Sequence, residues 1–228
     1  MSSARGSGWG AWAAVLAIVA AATHLLAETR GYETAAIVAK PIPVLLLAIA
    51  VALAGRSRLR APLVAGLLAS AAGDVLIQRP DGFLAGLAAF LVAHVLYAAG
   101  FWRTRAELLP LRAVPFALFG LLVTWRLAPG LESSGAAFGA AVGAYIAAIC
   151  VMMWRAAALV GTPGLAARVG QLATGGAILF AASDSLIAVN RFVTPLAWAN
   201  VPIMLLYWAG QCGIAGAAIA LASPKERM

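Results

Sequence analysis

Charged residues are scarce in this chain: Asp, Glu, Lys and Arg make up 11% of its 228 residues, whereas hydrophobic residues make up 64%. A soluble domain of this length would not carry so few charges over so many apolar stretches, so the composition indicates a polytopic membrane protein. The formal net charge of +8 does not indicate nucleic-acid binding, because the basic residues lie in short loops between apolar runs instead of on one face.

Cysteine and histidine are equally rare, with two of each. Cys150 and Cys212 both lie inside apolar runs and match no metal-binding spacing, so we interpret them as packing residues without a disulfide. His94 has no second histidine at helical spacing, and His24 belongs to another apolar run, where a structural role is expected. The sequence therefore predicts no metal site.

Apolar windows near the ~20 residues needed to span a bilayer occur eight times. We predict one all-α integral-membrane domain over residues 1–228, a bundle of eight transmembrane helices. The third window is short, as is typical of a helix that borders a polar cavity. On the sixth window, a ridge of small residues at Gly135, Gly139 and Gly143 predicts a close contact between helices. The predicted spans are 9–27, 34–54, 61–77, 82–102, 111–128, 134–155, 168–189 and 196–222.

Loop charges predict the orientation of the bundle. Eleven basic residues fall on the side of the N-terminus, while four (Arg30, Arg79, Arg126 and Arg191) fall on the other side. Because positive loops stay in the cytoplasm, we expect both termini to be cytoplasmic and the protein to lie in the inner (plasma) membrane of the cell. An α-helical bundle argues against an outer membrane.

Two short motifs recur at one spacing. Ala-Ala-Gly-Asp-Val-Leu-Ile around Asp74 is echoed by Ala-Ala-Ser-Asp-Ser-Leu-Ile around Asp184, and Leu-Tyr-Ala-Ala-Gly around Tyr97 is echoed by Leu-Tyr-Trp-Ala-Gly around Tyr207. The two pairs have the same offset along the chain. We predict that the third and fourth helices are repeated as the seventh and eighth.

Each repeat contains one aspartate inside an apolar run, which is costly in hydrocarbon and by default indicates a functional site. With alternating helix directions, several polar groups converge on the outer leaflet: Lys40, Asp74, Asp184, Asn190 and Asn200. Others lie near mid-membrane or a turn deeper: His94, Tyr97, Tyr207 and Gln211. This distribution predicts a polar pocket that opens from the outer side and has aromatic and amide groups at its floor.

Structural roles remain open for these residues. The aspartates could form a buried salt bridge with Lys40, Lys40 could extend to the headgroups, and the asparagines could cap helix ends. If Lys40 favours one aspartate, that carboxyl stays ionised while the other holds a proton. This division suits acid-catalysed hydrolysis, a proton-coupled small-solute transporter built from a parallel repeat, or, without chemistry, a lipid-binding protein.

The motifs also resemble those of the YhhN-type lysoplasmalogenases, a family of multi-helix membrane hydrolases, over residues 35–215. The resemblance is carried by the order and helix placement of several short motifs. These are Lys40-Pro41, Gly73-Asp74, Phe83, Gly86-Leu87, Ala89-Phe90-Leu91, Ala93-His94, Tyr97, Ser183-Asp184-Ser185-Leu186, Asn190-Arg191-Phe192, Tyr207 and Gly210-Gln211.

The resemblance implies hydrolysis of the vinyl ether bond of a lysoplasmalogen, a single-chain lysolipid taken from the bilayer, to a fatty aldehyde and a glycerophospho-alcohol. It implies that Asp74 and Asp184 are the catalytic acid and base, in an order that the sequence leaves open, as it does the oligomeric state. This chemistry needs no metal or organic cofactor. Lys40 would bind phosphate or tune a carboxyl. The other expected substrate-binding residues are His94, Tyr97, Ser183, Asn190, Tyr207 and Gln211.

Overall fold

A computed structural model describes residues 3–132 and 135–223. Within these two ranges the chain forms nine α-helices, one short 3-10 turn (Pro110–Arg112) and no β-strand. Both chain ends and the predicted helix start at residue 134 lie outside the described residues. The helices are α1 (Ser3–Thr29), α2 (Glu33–Ala39), α3 (Ile42–Leu53), α4 (Arg60–Leu76), α5 (Phe83–Thr104), α6 (Val114–Glu132), α7 (Ala136–Ala158), α8 (Ala167–Phe192) and α9 (Asn200–Ala222).

These helices have the length and polarity of membrane spans. Seven segments of the described chain are long and apolar enough to cross a bilayer, and α2 and α3 together form one of them. The remaining helix, α4, has 17 residues and carries Asp74 near its end. The predicted polytopic helical bundle is therefore confirmed, whereas the internal repeat stays a prediction.

The second predicted span, 34–54, is interrupted at Lys40 and Pro41. Pro41 and Pro43 have no backbone N–H to donate to the carbonyls four residues earlier, so the helical ladder loses two hydrogen bonds at this point. The chain resumes as α3, where the N–H of Leu45 donates to the carbonyl of Pro41 at 2.9 Å. Lys40 lies at the break, which brings its side chain to the polar cavities described below.

The core is built around two helix pairs, α4 with α5 and α8 with α9. Glycine lets the helices of each pair approach closely. A Cβ on Gly176 would lie 2.6 Å from the backbone nitrogen of Ile214, and one on Gly66 would lie 2.3 Å from the ring of Tyr97. Because each close approach fixes the rotation of a helix about its axis, these glycines also set which faces meet at the centre of the bundle.

The periphery differs from one sequence expectation. Gly139 and Gly143 on α7 have open space where a Cβ would lie, so the close helix contact predicted for the glycine ridge is wrong for this chain. The neighbouring α6 packs against α7 and α8, and Leu121 and Trp125 on its outer face are 67% and 71% exposed. In a membrane protein such apolar side chains face lipid.

Candidate active site

Asp74 at the end of α4 and Asp184 on α8 line one small cavity, which we call the central chamber. It has a volume of about 20 Å³, enough for one water molecule. Asp74 is fully buried and Asp184 is 9% exposed. The chamber is lined by Lys40, Asp74, Ile77, Phe90, Ser183, Asp184, Ile187, Ile203, Met204 and Tyr207. The structure thus brings the two predicted acids to a shared space that is polar on a few atoms and apolar elsewhere.

Asp74 is held by one strong hydrogen bond. The hydroxyl of Tyr207, on α9, donates to Asp74 Oδ2 at 2.8 Å. Asp74 Oδ1 is buried and accepts no hydrogen bond from any described residue. Lys40 faces the same chamber without forming a salt bridge to either aspartate within the described ranges. One carboxylate oxygen is therefore oriented by protein, and the other is left for a water molecule or a substrate.

Asp184 has two neighbours on the same oxygen. The hydroxyl of Tyr145, on α7, donates to Asp184 Oδ2 at 2.7 Å. His94 Nε2, on α5, lies 3.4 Å from that oxygen, although neither ring nitrogen of His94 forms a well-directed hydrogen bond with a described residue. The imidazole packs edge-on against Tyr145 and tilted against Phe180. Three helices thus converge on this carboxyl.

A wide vestibule of about 680 Å³ leads toward the chamber. Five residues, Lys40, Ile77, Ile187, Ile203 and Met204, line both spaces. The vestibule also carries charged residues of both signs (Glu28, Glu33 and Arg79) and three amides (Gln78, Asn190 and Asn200). Arg191 lines it too, with its guanidinium 3.7 Å above the ring centre of Phe83. A charged headgroup therefore has partners on this side.

On another side of the chamber lies a second space, the apolar pocket, with a volume of about 50 Å³. Its walls come from α5, α6, α7 and α8, and they are apolar apart from Tyr145, Asp184 and Ser185. Ile77, Phe90, Asp184 and Ile187 line both the pocket and the chamber. Asp184 thus stands between a polar space and a hydrocarbon-like one.

Comparison with known proteins places this sequence in a family. The family described as the YhhN family matches residues 35–218, which include every candidate site residue from Lys40 to Gln211. This chain belongs to the YhhN family. No solved structure matches it.

Named relatives support the same placement. The chain is 36% identical over 156 residues to the lysoplasmalogenase TMEM86B of Sus scrofa, covering 66% of this chain and 60% of that protein. It is 39% identical over 164 residues to the lysoplasmalogenase TMEM86A of Bos taurus, covering 71% and 66%. It is 32% identical over 218 residues to a lysoplasmalogenase of Mycobacterium tuberculosis, covering 90% and 79%. The matched region spans three fifths to two thirds of these mammalian relatives.

Not all predicted site residues of this YhhN chain reach the cavities. Ser183 lines the chamber and donates to the carbonyl of Ile203 at 2.9 Å, while Asn190 lines the vestibule and its Oδ1 accepts from the N–H of Leu196 at 2.6 Å. Tyr97, Gln211 and His94 line none of the three cavities, although His94 contacts Asp184. The Tyr97 hydroxyl donates to Gln211 Oε1 at 2.8 Å and lies 3.3 Å from Ser70 Oγ, which forms a buried network beside the site.

Sequence reasoning missed Tyr145 and the whole apolar pocket. None of the motifs that carry the family resemblance lies on α6 or α7, yet α7 supplies the hydroxyl that donates to Asp184. The available signal was a lone tyrosine within the apolar run Ala-Ala-Val-Gly-Ala-Tyr-Ile-Ala-Ala-Ile. A buried tyrosine usually finds a hydrogen-bond partner, so it could have been read as a neighbour of one of the two acids.

Proposed function

We propose that this chain is a membrane hydrolase that cleaves the vinyl ether bond of lysoplasmalogen-type lysolipids. The observation that carries the proposal is the pair of aspartates at one lipid-buried chamber, in a chain of the YhhN family whose named relatives are lysoplasmalogenases. An ionised carboxylate inside the membrane costs up to about 2.5–3.5 kcal/mol at the centre of a helix, a cost that a catalytic role would explain.

The reaction needs one acid and one base. One carboxyl donates its proton to the β-carbon of the vinyl ether, which gives an oxocarbenium ion. Water then attacks the α-carbon while the second, ionised carboxylate accepts a proton from it, as paired carboxyls do in glycoside hydrolysis. The hemiacetal collapses when the second carboxyl returns this proton to the leaving glycerol oxygen and the first takes the hydroxyl proton. The products are a fatty aldehyde and a glycerophospho-alcohol, and both carboxyls are restored.

Surrounding residues bind and orient in this scheme. Lys40, at the junction of vestibule and chamber, attracts the phosphate of the lysolipid, and Asn190 and Ser183 contribute polar contacts on the headgroup side. Tyr207 and Tyr145 each fix one oxygen of an aspartate. His94 lies against Asp184, whereas Tyr97 and Gln211 form a buried network that packs beside the site.

Purified protein in detergent should release fatty aldehyde from a lysoplasmalogen. Asp74→Asn and Asp184→Asn should each abolish aldehyde release while leaving the thermal unfolding temperature near that of the wild type. Asp81→Asn, an exposed aspartate in the turn after α4, is the matched control and should keep full activity. Full activity in either of the first two variants would remove that aspartate from the mechanism.

The alternatives make different predictions. The comparisons give no support to a proton-coupled transporter, which would move a solute into proteoliposomes without changing it chemically. A lipid-binding protein would lose lipid retention when either aspartate is substituted, and even the wild type would show no turnover. The positive-inside rule further supports cytoplasmic termini in the inner (plasma) membrane, with the vestibule open to the outer side. A reporter fused to either end of the full chain tests this orientation.

A further inference from the structure

The apolar pocket lies beside one of the two aspartates and not the other. Asp184 lines both this pocket and the central chamber, whereas Asp74 lines the chamber and not the pocket. Lys40, by contrast, lines the chamber and the vestibule. The two acids are therefore inequivalent: both share the chamber with Lys40, the cation on the headgroup side, but Asp184 also faces the hydrocarbon-like walls of the pocket.

The substrate, like the site, has a polar end and an apolar end. In a vinyl ether the reacting carbons are the first two of the alkenyl chain, and the glycerol oxygen with the phosphate lies on the other side of the bond to be broken. Headgroup and chain must therefore leave the reacting carbons in opposite directions. We propose that the apolar pocket holds the alkenyl chain, and that Asp184 is the group that protonates the β-carbon, leaving Asp74 to activate water. This inference rests on the proposed vinyl ether hydrolysis.

Protons balance under this assignment. Asp184 gives its proton to the β-carbon, and the electron pair of the double bond forms the new C–H bond. Water adds to the α-carbon and loses a proton to Asp74, whose Oδ1 accepts no other hydrogen bond within the described residues. Cleavage of the bond to the glycerol oxygen takes the proton back from Asp74, and the hemiacetal hydroxyl returns one to Asp184 as the aldehyde forms.

The outer wall of the pocket indicates how a chain gets in. Phe119, Val123 and Leu127 follow one another at four-residue spacing along α6, so this wall extends for about 12 Å at 1.5 Å per residue. On the opposite wall, Phe83, Leu87 and Phe90 belong to α5. Helix α6 packs on α7 and α8 but hardly touches α5. The gap between α5 and α6 is therefore the route by which a chain slides in from the bilayer.

Chain-length preference tests the pocket. In Val123→Trp the indole fills part of the pocket that the chain would occupy. The ratio of kcat/KM for a hexadecenyl lysoplasmalogen to that for an octenyl one should therefore fall roughly tenfold or more. Each methylene displaced from the pocket weakens binding several-fold. Leu121→Trp, on the lipid-facing side of the same helix, should leave the ratio unchanged. An unchanged ratio in Val123→Trp, or equal changes in both variants, would overturn the pocket.

Wild-type protein allows a test that needs no turnover. A saturated ether lysolipid with a diazirine at its chain end cannot be hydrolysed, and on illumination its adducts should map to the pocket walls of α5 and α6 and should disappear when unlabelled ether lipid competes. Adducts confined to outward residues such as Leu121 and Leu122, without competition, would contradict the inference. Absence of aldehyde release with the expected adducts would instead reject only the proposed hydrolysis.

Chemical rescue tests the assignment of the acids. Formate is ionised at neutral pH, so it can accept a proton from water but cannot donate one to carbon. We expect formate to restore aldehyde release to Asp74→Gly and to leave Asp184→Gly inactive. Any other pattern, including rescue of Asp184→Gly alone, of both variants or of neither, would overturn the assignment. Both glycine variants should first show thermal unfolding like that of the wild type. If a glycine variant does not fold, the same rescue experiment is done with Asp74→Ala and Asp184→Ala.

Discussion

Removing the Tyr207 hydroxyl tests the link between hydrogen bonding and chemistry at Asp74. This hydroxyl donates to Asp74 Oδ2 at 2.8 Å, and both side chains are buried, with Tyr207 4% exposed. Tyr207→Phe keeps the ring and its edge-on contacts with Phe90 and Phe180. A hydrogen bond to a charged group is worth about 1.5–3 kcal/mol, so kcat for aldehyde release should fall roughly 10- to 100-fold. KM should change little, because Tyr207 contacts the carboxyl and not the headgroup.

The matched control is Tyr97→Phe, at the corresponding position of the predicted repeat. Its hydroxyl donates to Gln211 and reaches neither aspartate within hydrogen-bond distance. Losing a neutral buried hydrogen bond should lower stability by about 1 kcal/mol while leaving kcat close to that of the wild type. Kinetics at saturating substrate, with thermal unfolding of both variants in detergent, separate the two effects. An equal loss of kcat in the two variants, or none in Tyr207→Phe, would refute this reasoning.

Two further substitutions test packing and headgroup binding. Gly176→Ala should lower the free energy of unfolding by about 1–3 kcal/mol, because the new Cβ would lie 2.6 Å from the Ile214 nitrogen and 2.7 Å from the Gly210 oxygen. The control is Gly143→Ala, at a position with open space, which should not lower the unfolding temperature. Lys40→Met should raise KM for a lysoplasmalogen about tenfold, the loss expected for one charge-assisted contact, and should leave KM unchanged for an alkenylglycerol that lacks phosphate. Equal KM changes on the two substrates would show that Lys40 does not bind the phosphate.

The sequence predicted the features that follow from hydrophobic windows and from the energetic cost of a charge in the membrane. Apolar windows long enough for a bilayer predicted the multi-pass bundle, and the expense of an intramembrane carboxylate singled out Asp74 and Asp184, which the structure brings to one chamber. A hydrophobic window cannot tell which helices are neighbours. For that reason Tyr145, on α7, was not connected with Asp184 on α8, and the pocket walled by α6 was not foreseen.

The same limit explains why Tyr97 and Gln211 do not line the chamber. Depth along a helix predicted that Tyr97 lies near mid-membrane and Gln211 a turn deeper, but depth says nothing about rotation around the helix axis. Rotation is decided by close packing: Gly66 on α4 leaves room for the ring of Tyr97, and the hydroxyl of that ring then meets Gln211 instead of an aspartate. The corresponding Gly176 meets the backbone of α9 and not a tyrosine.

This difference between the two helix pairs has a consequence for chemistry. If the pairs packed identically, each aspartate would receive its hydroxyl from the tyrosine of the other pair, and the two carboxyls would have equal surroundings. Only Asp74 receives such a hydroxyl, from Tyr207, while Asp184 receives its own from Tyr145 on a helix outside the predicted repeat and has His94 beside it. Unlike surroundings decide which of two neighbouring carboxyls holds the proton, because two equivalent carboxyls that share one proton hold it equally often. In the proposed mechanism, the departure from the predicted repeat at α7 therefore assigns different roles to the two aspartates.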